Sequence, residues 1–169
     1  MKTTAWVGLA VLLLGSQAQA QGTSQFFGGL RLHRESSVLP HLPYDKNDLS
    51  ATVAWEYHEN VAFWQLALDY GWDPSGSPAA GSVLTPQVNL IFEDRGVLGG
   101  VGILRSYIDD DERGSKWTNI YYQFLLGFGG PVGRVHAAVY AIYPFRNWRE
   151  LDEFKGRDIE YLAGIVLPF

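Results

Sequence analysis

His33, His41, Asp73 and Ser75 are the residues whose types would serve nucleophilic acyl chemistry. Such chemistry needs a hydroxyl to attack, an imidazole to take its proton and a carboxylate to orient the imidazole. None of the four sits in a local motif. His33 is followed two positions later by Glu35 rather than Ser, with Ser36 and Ser37 next, and no Asp-Ser pair stands beside Ser75. The competing reading is that these are ordinary loop and interior residues. A second set, Arg31, Glu56, Asp69, Arg105 and Glu160, consists of charges expected on the face that turns away from the apolar one. Charges in that setting are expected to pair with one another, because an unpaired buried charge costs several kcal/mol. Metal chemistry has little to stand on. The chain has no cysteine, His58 and His136 are expected near the short turns but on opposite sides of the structure, and Asp109-Asp110-Asp111-Glu112 lacks the spacing and turn glycine of a calcium loop. The acidic run reads as a solvated loop tip, and no metal or cofactor is expected.

The elements that must position these residues are strands. Period-two segments bounded by turn residues fall at about 24–34, 48–58, 60–72, 82–93, 96–107, 116–128, 133–145 and 157–169. Glu59-Asn60, Glu93-Asp94-Arg95 and Gly129-Gly130-Pro131-Val132 are short turns, and longer connections separate the other strand pairs. Long and short links alternate strictly. In most strands one face is apolar and the other polar or small. Leu49, Ala51, Val53, Trp55 and Tyr57 oppose Ser50, Thr52, Ala54 and Glu56, and Trp64, Leu66, Leu68, Tyr70 and Trp72 oppose Gln65, Ala67, Asp69 and Gly71. Phe26, Gly28, Leu30 and Leu32 likewise oppose Arg31 and His33. In the fifth strand Gly99, Gly100 and Gly102 blunt the alternation, which leaves its facing, and that of Arg105, open. Pro86 cannot donate to a ladder and is expected at a bulge or at the upper end of pairing. Aromatics form two bands: Trp55, Tyr57, Trp64, Phe92, Phe128 and Phe169 towards the short turns, and Tyr70, Trp72, Tyr107, Trp117, Tyr143 and Phe145 near the long links. Trp148, Leu151 and Phe154 at three-residue spacing predict a short amphipathic turn lying on the rim.

The two ends of the chain suggest its destination. Lys2, the apolar run from Ala5 to Leu14 and the small-x-small site Ala18-Gln19-Ala20 have the form of a secretory signal peptide over residues 1–20. Residues 21–169 would then be one domain. The formal charge of −5 becomes −6 once Lys2 is removed, and there is no basic stripe, so nucleic acid is not expected as a partner. At the other end, Ile159, Tyr161, Ala163, Ile165 and Leu167 alternate up to a final Phe169.

A terminal Phe on such a strand, with eight strands and alternating loop lengths, resembles the small bacterial outer-membrane β-barrels, the class of the OmpA transmembrane domain and OmpX. The resemblance covers the whole mature chain and implies an all-β, eight-stranded antiparallel up-and-down transmembrane β-barrel. It further implies residence in the bacterial outer membrane among lipid and lipopolysaccharide, with Phe169 as the signal read by the barrel assembly machinery. An eight-stranded barrel has an interior that side chains fill. Arg31, Glu56, Asp69, Arg105 and Glu160 are therefore expected as a lumen network, and a solute pore is not. The class also contains lipid A-modifying enzymes: a palmitoyltransferase with His, Asp and Ser near the outer surface, and a deacylase with a His-x-Ser pair and an acidic partner. Neither pattern is present here, and His33, His41, Asp73 and Ser75 supply only loose analogues. The expectation is a non-enzymatic integral outer-membrane protein acting through extracellular loops or in membrane integrity, its extracellular ligand unidentified. The alternatives are a lipid A acyltransferase or deacylase and a soluble periplasmic lipocalin-like binder.

Overall fold

The computed structural model describes residues 22–34, 44–76, 80–110 and 114–168. The segment read as a signal peptide, His41, Asp111 and Glu112 of the acidic run, and Phe169 lie outside the described residues. The chain is all-β, with strands β1 (Thr23–Leu32), β2 (Leu49–Glu59), β3 (Ala62–Trp72), β4 (Ala80–Asp94), β5 (Val97–Leu104), β6 (Tyr107–Asp110), β7 (Lys116–Trp117), β8 (Tyr121–Val132), β9 (Val135–Phe145) and β10 (Glu160–Pro168). β6 continues the line of β5, and β7 that of β8, so the ten segments form eight walls. All neighbours are antiparallel, and β1 pairs with β10 while β3 pairs with β4, which closes the sheet into a barrel. Closure removes every edge and satisfies the backbone within the sheet.

The stagger can be read from the register. Following paired residues from Phe145 on β9 through Tyr122, Ile103, Val88, Leu66, Trp55 and Phe26 leads to Leu167. Leu167 lies one step beyond the Val166–His136 pair and hence opposite position 135, so one circuit descends ten residues on β9. Ten residues of shear over eight strands corresponds to a strand tilt of about 40°, from the usual rise and strand spacing. At that tilt an eleven-residue strand such as β2 or β3 spans about 28 Å along the axis.

Each side of the sequence alternation finds its face. Phe26, Leu30, Val53, Trp64, Leu66, Leu68, Tyr70 and Trp72 are exposed on the outer wall, whereas Arg31, Ser50, Thr52, Glu56, Gln65 and Asp69 are buried inside. The facing of β5 is settled by its neighbours: Leu98 and Leu104 point inwards with Gly100 and Gly102, and Val97, Val101 and Ile103 point outwards. Gly102 is required inside, since a Cβ there would collide with the Asn89 side chain. The lower and middle lumen on one side is apolar, with Phe27, Ile91, Leu98, Leu125, Tyr140 and Ile142 among its members.

Three local features depart from the sequence reading. The third short turn lies at Gly133-Arg134, not over 129–132, because β8 continues to a Val132–Val135 pair and only Gly133, at φ 63°, needs the left-handed region. Pro131 can sit in that extension. The Gly129 amide faces Gly96 of the neighbouring turn, so the nitrogen two residues on faces the same side, beyond the point where β5 has ended. Pro86 interrupts strand pairing within a wall. Its carbonyl accepts from the Arg105 amide at 3.3 Å, so its missing N–H also faces that wall, and β5 breaks there into β5 and β6.

The third departure concerns the upper aromatic band. Tyr143 and Phe145 face outwards but are 5 % and 1 % exposed. A 3-10 turn at Trp148–Glu153 begins at Asn147, whose side chain accepts from the Arg149 amide, and folds the connection back against the outer wall. Trp148 packs against Phe145 at 5.2 Å and Tyr122 at 5.9 Å between ring centroids, and Phe154 covers Tyr143 at 4.7 Å. The loop's own rings, Trp148 and Phe154, take the exposed positions instead.

Candidate functional site

The buried polar residues form one hydrogen-bonded network along the barrel interior. Its upper part is built on Arg31, which β1 directs inwards beside β10 and within reach of β3. Arg31 Nε donates to Glu160 Oε2 at 2.6 Å and Nη1 donates to Asp69 Oδ2 at 2.8 Å. All three side chains are nearly inaccessible. Two carboxylates share one guanidinium, and the geometry offsets much of the desolvation cost because each charge is met at hydrogen-bond distance. Thr52 adds a donor to Asp69 Oδ1 at 2.6 Å, and Gln87 Nε2 adds another to Oδ2 at 2.5 Å.

His33, just past the end of β1 and two residues beyond Arg31, extends the cluster upwards. Its Nδ1 lies 3.2 Å from Glu160 Oε1 and its Nε2 lies 2.9 Å from Ser50 Oγ. Ser, His and Glu thus align in the order of an acyl-transfer triad, with the second Glu160 oxygen fixed by Arg31. The hydroxyl of Ser50 is enclosed, at 0 % residue exposure. Tyr44 lies over the imidazole, ring centroids 3.6 Å apart and planes within 5°. Its ring occupies the space left by Gly71, where a Cβ would fall 2.7 Å from the ring edge. Burial first, and then the Asp69 carboxylate, push the Tyr44 phenol above its ordinary range, so it stays protonated as a neutral cap.

The lower part is a ladder of amides. Gln65 Nε2 donates to Glu56 Oε1 at 2.8 Å, and Asn89 Nδ2 donates to Gln65 Oε1 at 2.8 Å. Gln123 Nε2 donates both to Asn89 Oδ1 at 2.7 Å and to Gln87 Oε1 at 2.8 Å. Glu56 also meets His58 Nε2 at 3.2 Å, near the short-turn end. Both ends of the amide run are carboxylates, Glu56 below and Asp69 above, and each must be given a hydrogen. Donor direction therefore has to reverse somewhere between them. It reverses at Gln123, whose two amide hydrogens are both donated and whose Oε1 is left buried without a partner among the described residues.

The expected lumen residues are thus brought together with one exception. Arg31, Asp69 and Glu160 touch directly, and Glu56 joins through Gln65, Asn89, Gln123 and Gln87. Arg105 does not join: it is exposed on the outer wall, donating from Nε to the Thr118 carbonyl at 2.9 Å and lying 5.3 Å from the Trp117 ring centroid. The parity of β5 decides this, because Leu104 and Ser106 on either side are the inward residues. The rim residues do not assemble as a set. Asp73 is exposed, at φ 48°, and Ser75 is engaged by Asp48 through both its amide, at 2.9 Å, and its hydroxyl. Although partial burial opposes ionisation of Asp48, the Ser75 hydroxyl and the amides of Asp45 and Ser75 hold its carboxyl below the usual range. That staple ties the residues before β2 to those after β3. His33 looks inwards to Ser50.

Ser50, Tyr44 and the amides Gln65, Gln87, Asn89 and Gln123 had no motif to announce them. Their one signal is parity, since the five from β2, β3, β4 and β8 fall on the inward face of their strands. A cavity of about 230 Å³ at the short-turn end is lined by Glu56, His58, Glu93 and His136 among others. Among the described residues no group of three His, Cys, Asp or Glu is placed to hold a metal ion. The interior as a whole is suited to fixing charge in place. Comparisons with protein-family models and with curated proteins give no match.

Two expectations follow. Replacing Arg31 by Met, or Glu160 by Gln, should each destabilise the folded barrel by about 3–5 kcal/mol, since a buried partner charge is stranded. The double variant should recover part of the loss in urea unfolding, and strict additivity would mean the pair is not coupled. Gln123→Leu strands the carbonyls of Gln87 and Asn89 together and should cost about 1–3 kcal/mol for each by the same measurement.

Proposed function

We propose that the protein is a non-enzymatic integral protein of the bacterial outer membrane, a sealed barrel that acts through its long-loop end or by supporting membrane integrity. The carrying observation is the inversion of polarity. The outer wall is an apolar surface with exposed Trp64, Phe92 and Phe128 towards one rim and Tyr70, Trp72 and Trp117 towards the other, whereas the polar side chains are turned inwards and bonded to one another. Strands spanning about 28 Å suit the apolar band of an outer-membrane barrel, near 25 Å tall. A lipocalin-like binder would keep a ligand space inside and a polar wall outside; here the lumen is occupied by Phe27, Tyr140 and the amide ladder. The signal-like N-terminal sequence supports export, lipid and lipopolysaccharide would be the surroundings, and the barrel assembly machinery would be the insertion partner. The full chain, expressed with its leader, should fractionate with outer membranes and need detergent for extraction. Reconstituted in planar bilayers it should give no steady conductance. Recovery as a detergent-free periplasmic protein overturns this reading, and stable open channels overturn the sealed interior.

The Ser50–His33–Glu160 alignment favours a second reading, acyl transfer from an ester to Ser50 Oγ with His33 as base. It requires that Tyr44 leave the imidazole. A fluorophosphonate probe should then label the folded wild-type barrel and fail to label the Ser50→Ala and His33→Gln variants. An unlabelled wild-type barrel retires it.

A further inference from the structure

Among the described residues, Arg105 is the only charged side chain on the outward face of the strand walls between the two aromatic rims; Glu59 and Asp94 border the short turns, Asp109 stands above Tyr107, and Arg149, Glu150 and Asp152 belong to the connection folded against the wall. It is also the lumen residue that the sequence reading misplaced, and no carboxylate of the described residues forms an ion pair with it. Its guanidinium is held rather than loose. Nε is tied to the Thr118 carbonyl, and the plane lies near Trp117, which in turn packs on Tyr107 at 5.2 Å. Tyr107 pairs with Leu84, and Leu84 with Tyr70, so this cluster stands at the upper rim. Directly beneath it, where Pro86 breaks the ladder, a groove of about 200 Å³ opens between Val88, Ile103 and Ile120. The groove is apolar at its walls and meets Arg105 at its head.

A cation fixed at an interface above an apolar groove has the two halves of a receptor for an amphiphile. We infer that Arg105, with Trp117 beside it, binds the phosphate of an anionic lipid headgroup, one acyl chain of which lies in the groove formed at Pro86. The inference rests on the membrane reading above. Arginine suits the role because its remaining N–H groups present a planar fork that matches phosphate oxygens. Trp117 shields the contact from water on one side and prefers the interfacial depth. The break at Pro86 then has a use, since the interrupted wall supplies the recess that an unbroken ladder would fill.

The test uses the full-length barrel reconstituted in phosphatidylcholine vesicles containing a minor fraction of brominated-chain phosphatidylglycerol, with brominated phosphatidylcholine at the same fraction as the comparison. Bromine quenches tryptophan on contact, and the Trp117 part is obtained by difference from the Trp117→Phe variant. Quenching of Trp117 by the anionic lipid should report a local enrichment of roughly fivefold, the effect of one basic residue at an anionic surface. Arg105→Gln should bring the two lipids to parity, Arg149→Gln in the neighbouring loop should leave the preference intact, and added inorganic phosphate should not compete. Equal quenching by both lipids in the wild type, or a preference that survives Arg105→Gln, overturns the site while leaving membrane insertion standing. Competition by inorganic phosphate would likewise overturn the lipid assignment. Absence of bromolipid quenching from every tryptophan would instead show that the barrel does not insert, and both readings would fall together.

Discussion

Closure of the sheet is the constraint from which the other features descend. Once β1 pairs with β10 and β3 with β4, each residue in a wall must face either the interior or the surroundings, and no edge remains where an awkward side chain can be hidden. Eight walls leave an interior the width of a few side chains. Anything polar that turns inwards must find its partner there, at once and at short range. The Arg31 cluster and the amide ladder are the solution this chain adopts, and they require each other, because Asp69 is both the anion for Arg31 and the upper terminus of the ladder.

Where closure is disturbed, the disturbance has a local cause. Pro86 removes one donor from one side of β4, and the wall opposite breaks at that level. Pro131 removes a donor as well, yet does no damage, because the wall it would have served has already turned. Two prolines with the same chemistry differ in effect only by which neighbour they face. At the upper rim the connection after β9 is pressed onto the outside of the barrel, and Trp148 and Phe154 replace the rings they cover.

Much of the architecture was legible because the period of two is a strong signal wherever one face is apolar. Eight strands, the alternation of turns and the inward set on β1, β2 and β3 are all in that pattern. The fifth strand was not, since glycines at 99, 100 and 102 carry no facing information, and Arg105 was misplaced for that reason. The third turn was set too early because Gly129, Gly130 and Pro131 are turn residues by type, whereas the register continues through them. The pairing of Arg31 with Glu160 was legible, since a closed barrel must bring the first and last strands together. The partner of His33 was not. Ser50 is adjacent to it only through cross-strand register, and register is set by the whole circuit of pairs rather than by any segment.

The reversal of donor direction at Gln123 has a consequence for the kinds of residue each rung can accept. Gln65, Asn89 and Gln87 each accept at the oxygen and donate at the nitrogen, so a carboxylic acid in any of these places would have to keep its proton on one chosen oxygen. Position 123 obeys a different rule: it gives hydrogens on both sides and receives none. A cationic side chain satisfies that rule better than an amide does, and it would also stand between two anions. The interior therefore admits a change of net charge at one rung only, and the sign of that change is fixed by the polarity of the chain of dipoles on either side.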